Sequence, residues 1–125
     1  MKLYRTIDEV EISGSINELA KIHQSLISAS ENYNETFIFD TSGSSKPYDF
    51  LEGKLTISIS FKPACASFNE KTGLVITGNV ASLKALGSFF DFESDAKAGE
   101  HYHWDNACDP EYTSEDTLPI VVSVV

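Results

Sequence analysis

An extended strand points alternate side chains the same way, so the run His101-Tyr102-His103-Trp104-Asp105 gathers His101, His103 and Asp105 on one face. Two imidazoles and a carboxylate form a donor set for zinc or a non-haem metal, with Cys108 or Asp109 as further ligands from the adjoining loop. Such a centre would make the chain a metal-dependent hydrolase. The competing reading is structural. His-x-His is a short pattern, no remote third ligand set accompanies it, and aligning the chain on itself puts Phe37 and Phe39 at the matching positions, which implies a partly buried strand. Nucleophilic catalysis has less support. Cys65 sits beside Pro63 among alanines with no adjacent base to lower its thiol pKa, and Cys108 lies among acids that would raise it. His23 falls on the apolar stripe of a helix. Gly14 and Gly78 each lie between a strand and a helix without the further glycines or lysine of a phosphate loop, and are expected to serve tight turns. Asp91, Glu93 and Asp95 lack the spacing of a calcium loop. No catalytic residue, metal or cofactor is therefore expected, and the hydrolase stands as the alternative to a binding role.

The elements that must position these residues follow from an internal match at a spacing of 64. Ile12-Ser-Gly14-Ser-Ile16-Asn-Glu-Leu19 pairs with Ile76-Thr-Gly78-Asn-Val80-Ala-Ser-Leu83, and one residue out of that register Leu55-Thr-Ile57-Ser-Ile59 pairs with Leu118-Pro-Ile120-Val-Val122. Ordered matches of this kind indicate a duplicated strand-helix-strand-strand unit, at about residues 8–62 and 72–125 of a single domain. Ser15 with Glu18 forms a capping box for a first helix running to about Ser30, whose stripe is Ile16, Leu19, Ala20, His23, Leu26 and Ile27. Asn79 caps a second helix that buries Val80, Leu83, Leu86 and Phe90. Strands are expected at Val10 and Ile12 leading into Gly14, and near 36–39, 54–62, 74–77, 100–104 and 118–124. In 54–62, Leu55, Ile57, Ile59 and Phe61 alternate with Thr56, Ser58, Ser60 and Lys62, giving one covered and one wet face. The expected fold class is α+β, a two-layer sandwich of about six mostly antiparallel strands with two helices on one face.

A chain of 125 residues with 42% hydrophobic and 11% aromatic content can bury one core. Its net charge of -10 disfavours nucleic acid and anionic membranes and favours a basic protein partner. The charge is uneven: residues 1–90 carry ten acids and eight bases, residues 91–125 nine acids against Lys97 alone. Two long loops, 41–53 and 105–117, carry tyrosines and carboxylates suited to protein recognition, or serve as solvent-exposed connections. The partner-binding candidates are Glu100, His101, His103, Trp104, Asp105, Asp109, Glu111, Tyr112, Glu115 and Asp116. A homodimeric interaction module, associating through a sheet edge or the wet face of Thr56, Ser58 and Ser60, is a further alternative. Two cysteines outside any CxxC pair, no signal peptide and no apolar span of roughly 20 residues lead to the expectation of a cytoplasmic protein.

The strand-glycine-helix run Ile76–Leu83, the run His101–Asp105 and the stretch Thr113-Ser-Glu-Asp-Thr-Leu-Pro-Ile-Val-Val122 together resemble the immunity protein 32 family of bacterial polymorphic-toxin systems. The resemblance is clearest over residues 72–125 and looser over the first unit. It implies a small cytosolic protein, encoded beside a secreted toxin, that blocks the toxin by binding it. The cognate toxin domain, such as a basic nuclease, would then be the partner. The family supplies no catalytic residues. Its His-x-His-acid strand matches His101, His103 and Asp105, and the resemblance assigns them no role.

Overall fold

Local sequence closes both helices as their caps predict. In the computed structural model, which describes all 125 residues, Ser15 Oγ accepts from the Glu18 amide at 3.1 Å and Glu18 Oε1 accepts from the Ser15 amide at 3.0 Å. This reciprocal pair satisfies two amides that the first turn of α1 (Ile16–Ile27) leaves without intrahelical partners. α1 buries Leu19, Ile22 and Leu26 completely and ends three residues before the expected Ser30. Asn79 caps α2 (Val80–Gly87), which buries Leu83 and Leu86 and continues into a single 3₁₀ turn, Ser88–Phe90.

The strands are β1 (Lys2–Arg5), β2 (Val10–Gly14), β3 (Asn34–Ile38), β4 (Phe50–Glu52), β5 (Lys54–Ile59), β6 (Cys65–Asn69), β7 (Gly73–Gly78), β8 (His101–Trp104) and β9 (Ile120–Val124). They form two mixed sheets, one ordered β4-β1-β2-β9-β8 and the other β3-β5-β7-β6. The α+β class and the two helices are as expected. The single sheet of about six strands is corrected to nine strands in two sheets. The reason is connectivity: β2 and β3 flank α1 but lie in different sheets, and so do β7 and β8 around α2. Each helix therefore carries the chain from one sheet to the other. The two parallel pairs, β2 with β9 and β7 with β5, join strands that no short-range signal connects.

Both sheets share one strand plan, with β1-β2-β9-β8 corresponding to β6-β7-β5-β3. Val10, Ile12 and Gly14 lie beside Ile120, Val122 and Val124, as Leu74, Ile76 and Gly78 lie beside Leu55, Ile57 and Ile59. By this pairing Leu55 corresponds to Ile120, two residues beyond the Leu118 that sequence matching gives. An even slip keeps every side chain on its face. For the last strand the shift is odd. Phe37 faces Leu55 and Trp104 faces Ile120, so Phe37 corresponds to Trp104, while Asn34 and Thr36 correspond to His101 and His103.

The inward faces of both sheets and the two helices close on a cluster of 21 buried residues. α1 and α2 pack on each other, and His23 Nδ1 reaches the Gly87 carbonyl at 2.9 Å. A Cβ on Gly87 would come within 2.9 Å of Leu26 Cβ, so glycine permits this helix approach. Gly78 has the same kind of role: a Cβ there would meet Ala64 Cα at 2.9 Å. Neither Gly14 nor Gly78 has positive φ, and close packing rather than a left-handed turn explains both. Arg5 bridges the sheets. Its guanidinium sits 3.6 Å from the Phe68 ring centroid and 4.6 Å from that of Phe50, and its Nε donates to Glu52 Oε1 at 3.3 Å.

Candidate binding groove on one sheet face

The outward face of the five-stranded sheet is arranged in cross-strand rows. Lys2, Ser13, Ser123 and His101 form one row, and Leu51, Tyr4, Glu11, Val121 and His103 the next. Loop segments raise walls on either side. Tyr48, from the loop before β4, folds back so that its ring lies 5.3 Å from Tyr4 and its hydroxyl donates to Glu11 Oε1 at 3.0 Å. Residues 98–99 rise beside His101. The result is an open groove of about 710 Å³ whose lining includes Glu9, Glu11, Ser13, Tyr48, His101, His103 and Ser123.

The polar groups of this lining are two carboxylates, three hydroxyls and two imidazoles, set among Ala98, Val121, Val124 and Val125. No Lys or Arg lines the groove. The molecule's three ion pairs, Met1 with Glu18, Lys2 with Asp40 and Arg5 with Glu52, leave Glu9 and Glu11 unneutralised. Lys2, the base on this face, is held by the Ser42 carbonyl. Burial raises the Tyr48 phenol above its ordinary pKa, and the hydrogen bond it donates to the Glu11 carboxylate raises it further, so Tyr48 remains a donor at neutral pH. His101 Nδ1 lies 3.0 Å from the Gly99 carbonyl. A carbonyl can only accept, so Nδ1 carries a hydrogen and donates it to Gly99. The His101 and His103 rings meet edge to face at 4.9 Å.

The residues singled out in the sequence are thus dispersed. His101 and His103 share a face, as alternation requires. Asp105 does not join them: β8 ends at Trp104, and the Asp105 carboxylate accepts from the Cys108 amide at 2.7 Å. No group of three or more His, Cys, Asp or Glu side chains is placed to hold a metal ion. Trp104, expected on the binding surface, is fully buried and packs behind the histidines, because it occupies the inward register of β8. Glu100 is exposed and accepts from the Lys97 amide.

Asp109, Glu111, Tyr112, Glu115 and Asp116 lie outside the groove. Their loop runs along β6, where the Ala64 amide donates to the Tyr112 carbonyl and the Leu118 amide to the Ala66 carbonyl, both at 2.9 Å. Tyr112 and Asp109 are half-buried; Glu111, Glu115 and Asp116 are exposed. Partial burial, and then the neighbouring Glu111 charge, raise the Asp109 carboxyl above the ordinary range. Asp105, and more weakly Asp109, raise the Cys108 thiol, as its acidic surroundings predict.

Sequence reasoning missed Glu9, Glu11, Ser13, Tyr48 and Ser123 as groove residues. The alternation of Val10 and Ile12 with Glu11 signalled that Glu11 faces outward. What it meets there depends on the pairing of β2 with β9, far away in sequence.

The fold and site define an α+β scaffold with a groove on an open sheet face that holds two carboxylates and no Lys or Arg. Residues 73–125 match the Immunity protein 32 family, the family that the sequence resembles over this same stretch. The matched region comprises β7, α2, β8 and β9, and so supplies His101, His103, Val121 and Ser123 to the groove. No curated protein and no solved structure matches the chain. No helix is long and apolar enough to cross a membrane.

Proposed function

We propose that this chain is an immunity protein that binds a cognate secreted toxin in the cytoplasm and neutralises it without catalysis. The family match over residues 73–125 carries this reading. The net charge of -10 supports a basic toxin domain such as a nuclease, because complementary potentials speed encounter before the toxin reaches its substrate. The exposed carboxylates Glu100, Glu111, Glu115 and Asp116 contribute to that attraction. The shared strand plan of the two sheets supports reading the whole chain as one domain built from a duplicated unit.

Co-expression provides the test. Cells carrying the toxin domain encoded beside this gene should grow when this chain is present and stop growing when it is absent. Arrest in both cases, with no complex between the purified proteins, would reject the reading.

A further inference from the structure

The two outward sheet faces are built on the same strands in the same order, yet only one bears charged and imidazole groups in its central rows. At the positions of Tyr4, Glu11, Val121 and His103, the four-stranded sheet has Ser67, Val75, Thr56 and Thr36. At those of Ser13, Ser123 and His101 it has Thr77, Ser58 and Asn34. The neutral set shows that the strand plan itself requires neither a carboxylate nor an imidazole at these places. A carboxylate beside a valine in the middle of a sheet also gains little stability for the fold, since cross-strand pairs are worth roughly 0.2–1 kcal/mol and depend on matched partners.

What the face offers instead is electrostatic complementarity. Glu9 and Glu11 face the groove with no cation paired to them, and Tyr48 fixes one oxygen of Glu11 and leaves the other free. The Tyr48 ring, packed on Tyr4, lines the groove beside this set and offers π surface to a cation. Two unpaired carboxylates in a groove walled by Tyr48 match a donor-rich cation. We propose that this groove seats a basic side chain, arginine or lysine, carried on an exposed segment of the toxin. The proposal rests on the reading of the chain as an immunity protein and names the surface and the chemistry by which it acts.

Two probes separate this proposal from that reading. The first is the peptide Gly-Arg-Gly-Arg-Gly, titrated into the ¹⁵N-labelled full chain, with citrulline replacing arginine in the control. The arginine peptide should move the amide signals of residues 9–13, 48, 101–103 and 121–123. The citrulline peptide should not, and the Glu9→Gln/Glu11→Gln variant should lose the response while keeping the parental spectrum elsewhere. Equal responses to both peptides, or responses confined to other surfaces, would overturn the groove as a cation seat.

The second probe is the toxin domain itself. Its affinity should fall about 30-fold or more in the double variant, the usual size of effect when one partner of a desolvated charge pair is removed. Undiminished affinity in the folded double variant would overturn the proposal and leave the immunity reading standing. A toxin bound by neither protein would overturn the immunity reading itself.

Discussion

The outer faces of the two sheets make an internal comparison that few small domains provide. Both are wet, both are built on a central parallel pair flanked by antiparallel strands, and both alternate with a buried face. The four-stranded sheet fills its outer rows with Thr36, Thr56, Val75 and Ser67, β-favouring or small residues that serve the strand and little else. The five-stranded sheet substitutes Tyr4, Glu11 and His103 around Val121, and a loop folds over to hold Glu11 in place. A scaffold shared by both faces separates what folding needs from what it does not.

The largest expected effect lies behind the groove. Trp104 is fully buried whereas its counterpart Phe37 is half-buried, so Trp104→Ala should destabilise by about 3–5 kcal/mol and Phe37→Ala by clearly less, measured by urea unfolding. Trp104 Nε1 has no hydrogen-bond partner, so Trp104→Phe should cost far less than the alanine change. Equal losses at Trp104 and Phe37 would break the correspondence between packing and face.

Binding effects come next. Glu11→Gln should weaken toxin binding substantially, by about 2 kcal/mol if the carboxylate is desolvated against a cation, while Val75→Gln at the equivalent place on the other sheet should leave affinity within about 0.5 kcal/mol. Titration calorimetry distinguishes the two. A smaller change is expected from Tyr48→Phe, which keeps the ring against Tyr4 but removes the hydroxyl bonded to Glu11. Losing that orientation should cost about 1 kcal/mol and act mainly on dissociation.

Reversal of Glu111, Glu115 and Asp116 to Lys should slow association and reduce its salt dependence while changing the dissociation rate little, as charges at a rim do. Stopped-flow association at two salt concentrations reads this directly. The smallest effect concerns Asp109, whose carboxyl is raised by partial burial and by Glu111. A raised folded-state value means that the ionised form is disfavoured in the fold, so its destabilising contribution is present above that value and disappears as pH falls below the unfolded one. Asp109→Asn should therefore be neutral or stabilising by up to about 0.5 kcal/mol at pH 7, with no gain at low pH in thermal unfolding.

Much of this molecule was legible in its residues. The capping box at Ser15 and Glu18, the Leu19 and Leu26 stripe, the alternation from Leu55 to Ile59 and the shared face of His101 and His103 are all local signals, and local geometry decides them. What local signals do not carry is strand exchange between sheets. β1 and β6 are short, β4 shorter still, and their places are set by partners in other parts of the chain. For that reason the sequence match put Phe37 and Phe39 opposite His101 and His103, whereas the pairing puts Phe37 opposite Trp104. Asp105 was drawn into the histidine cluster by extending the strand one residue past its end, where a turn held by the Cys108 amide takes the carboxylate instead. The groove was out of reach for the same reason: Glu11, Tyr48 and His103 meet only because β2 lies against β9 and the 41–49 loop folds over β1.

The central claim is that one sheet face, and not its counterpart, receives the toxin. Hydrogen exchange of the full chain with and without the toxin domain tests it most directly, because both faces report in a single experiment. The account predicts new protection of amides in residues 9–13, 46–49, 99–103 and 121–123, with residues 34–36, 56–58, 65–67 and 75–77 unchanged. Protection confined to the second set, or to residues 109–116 alone, would contradict it.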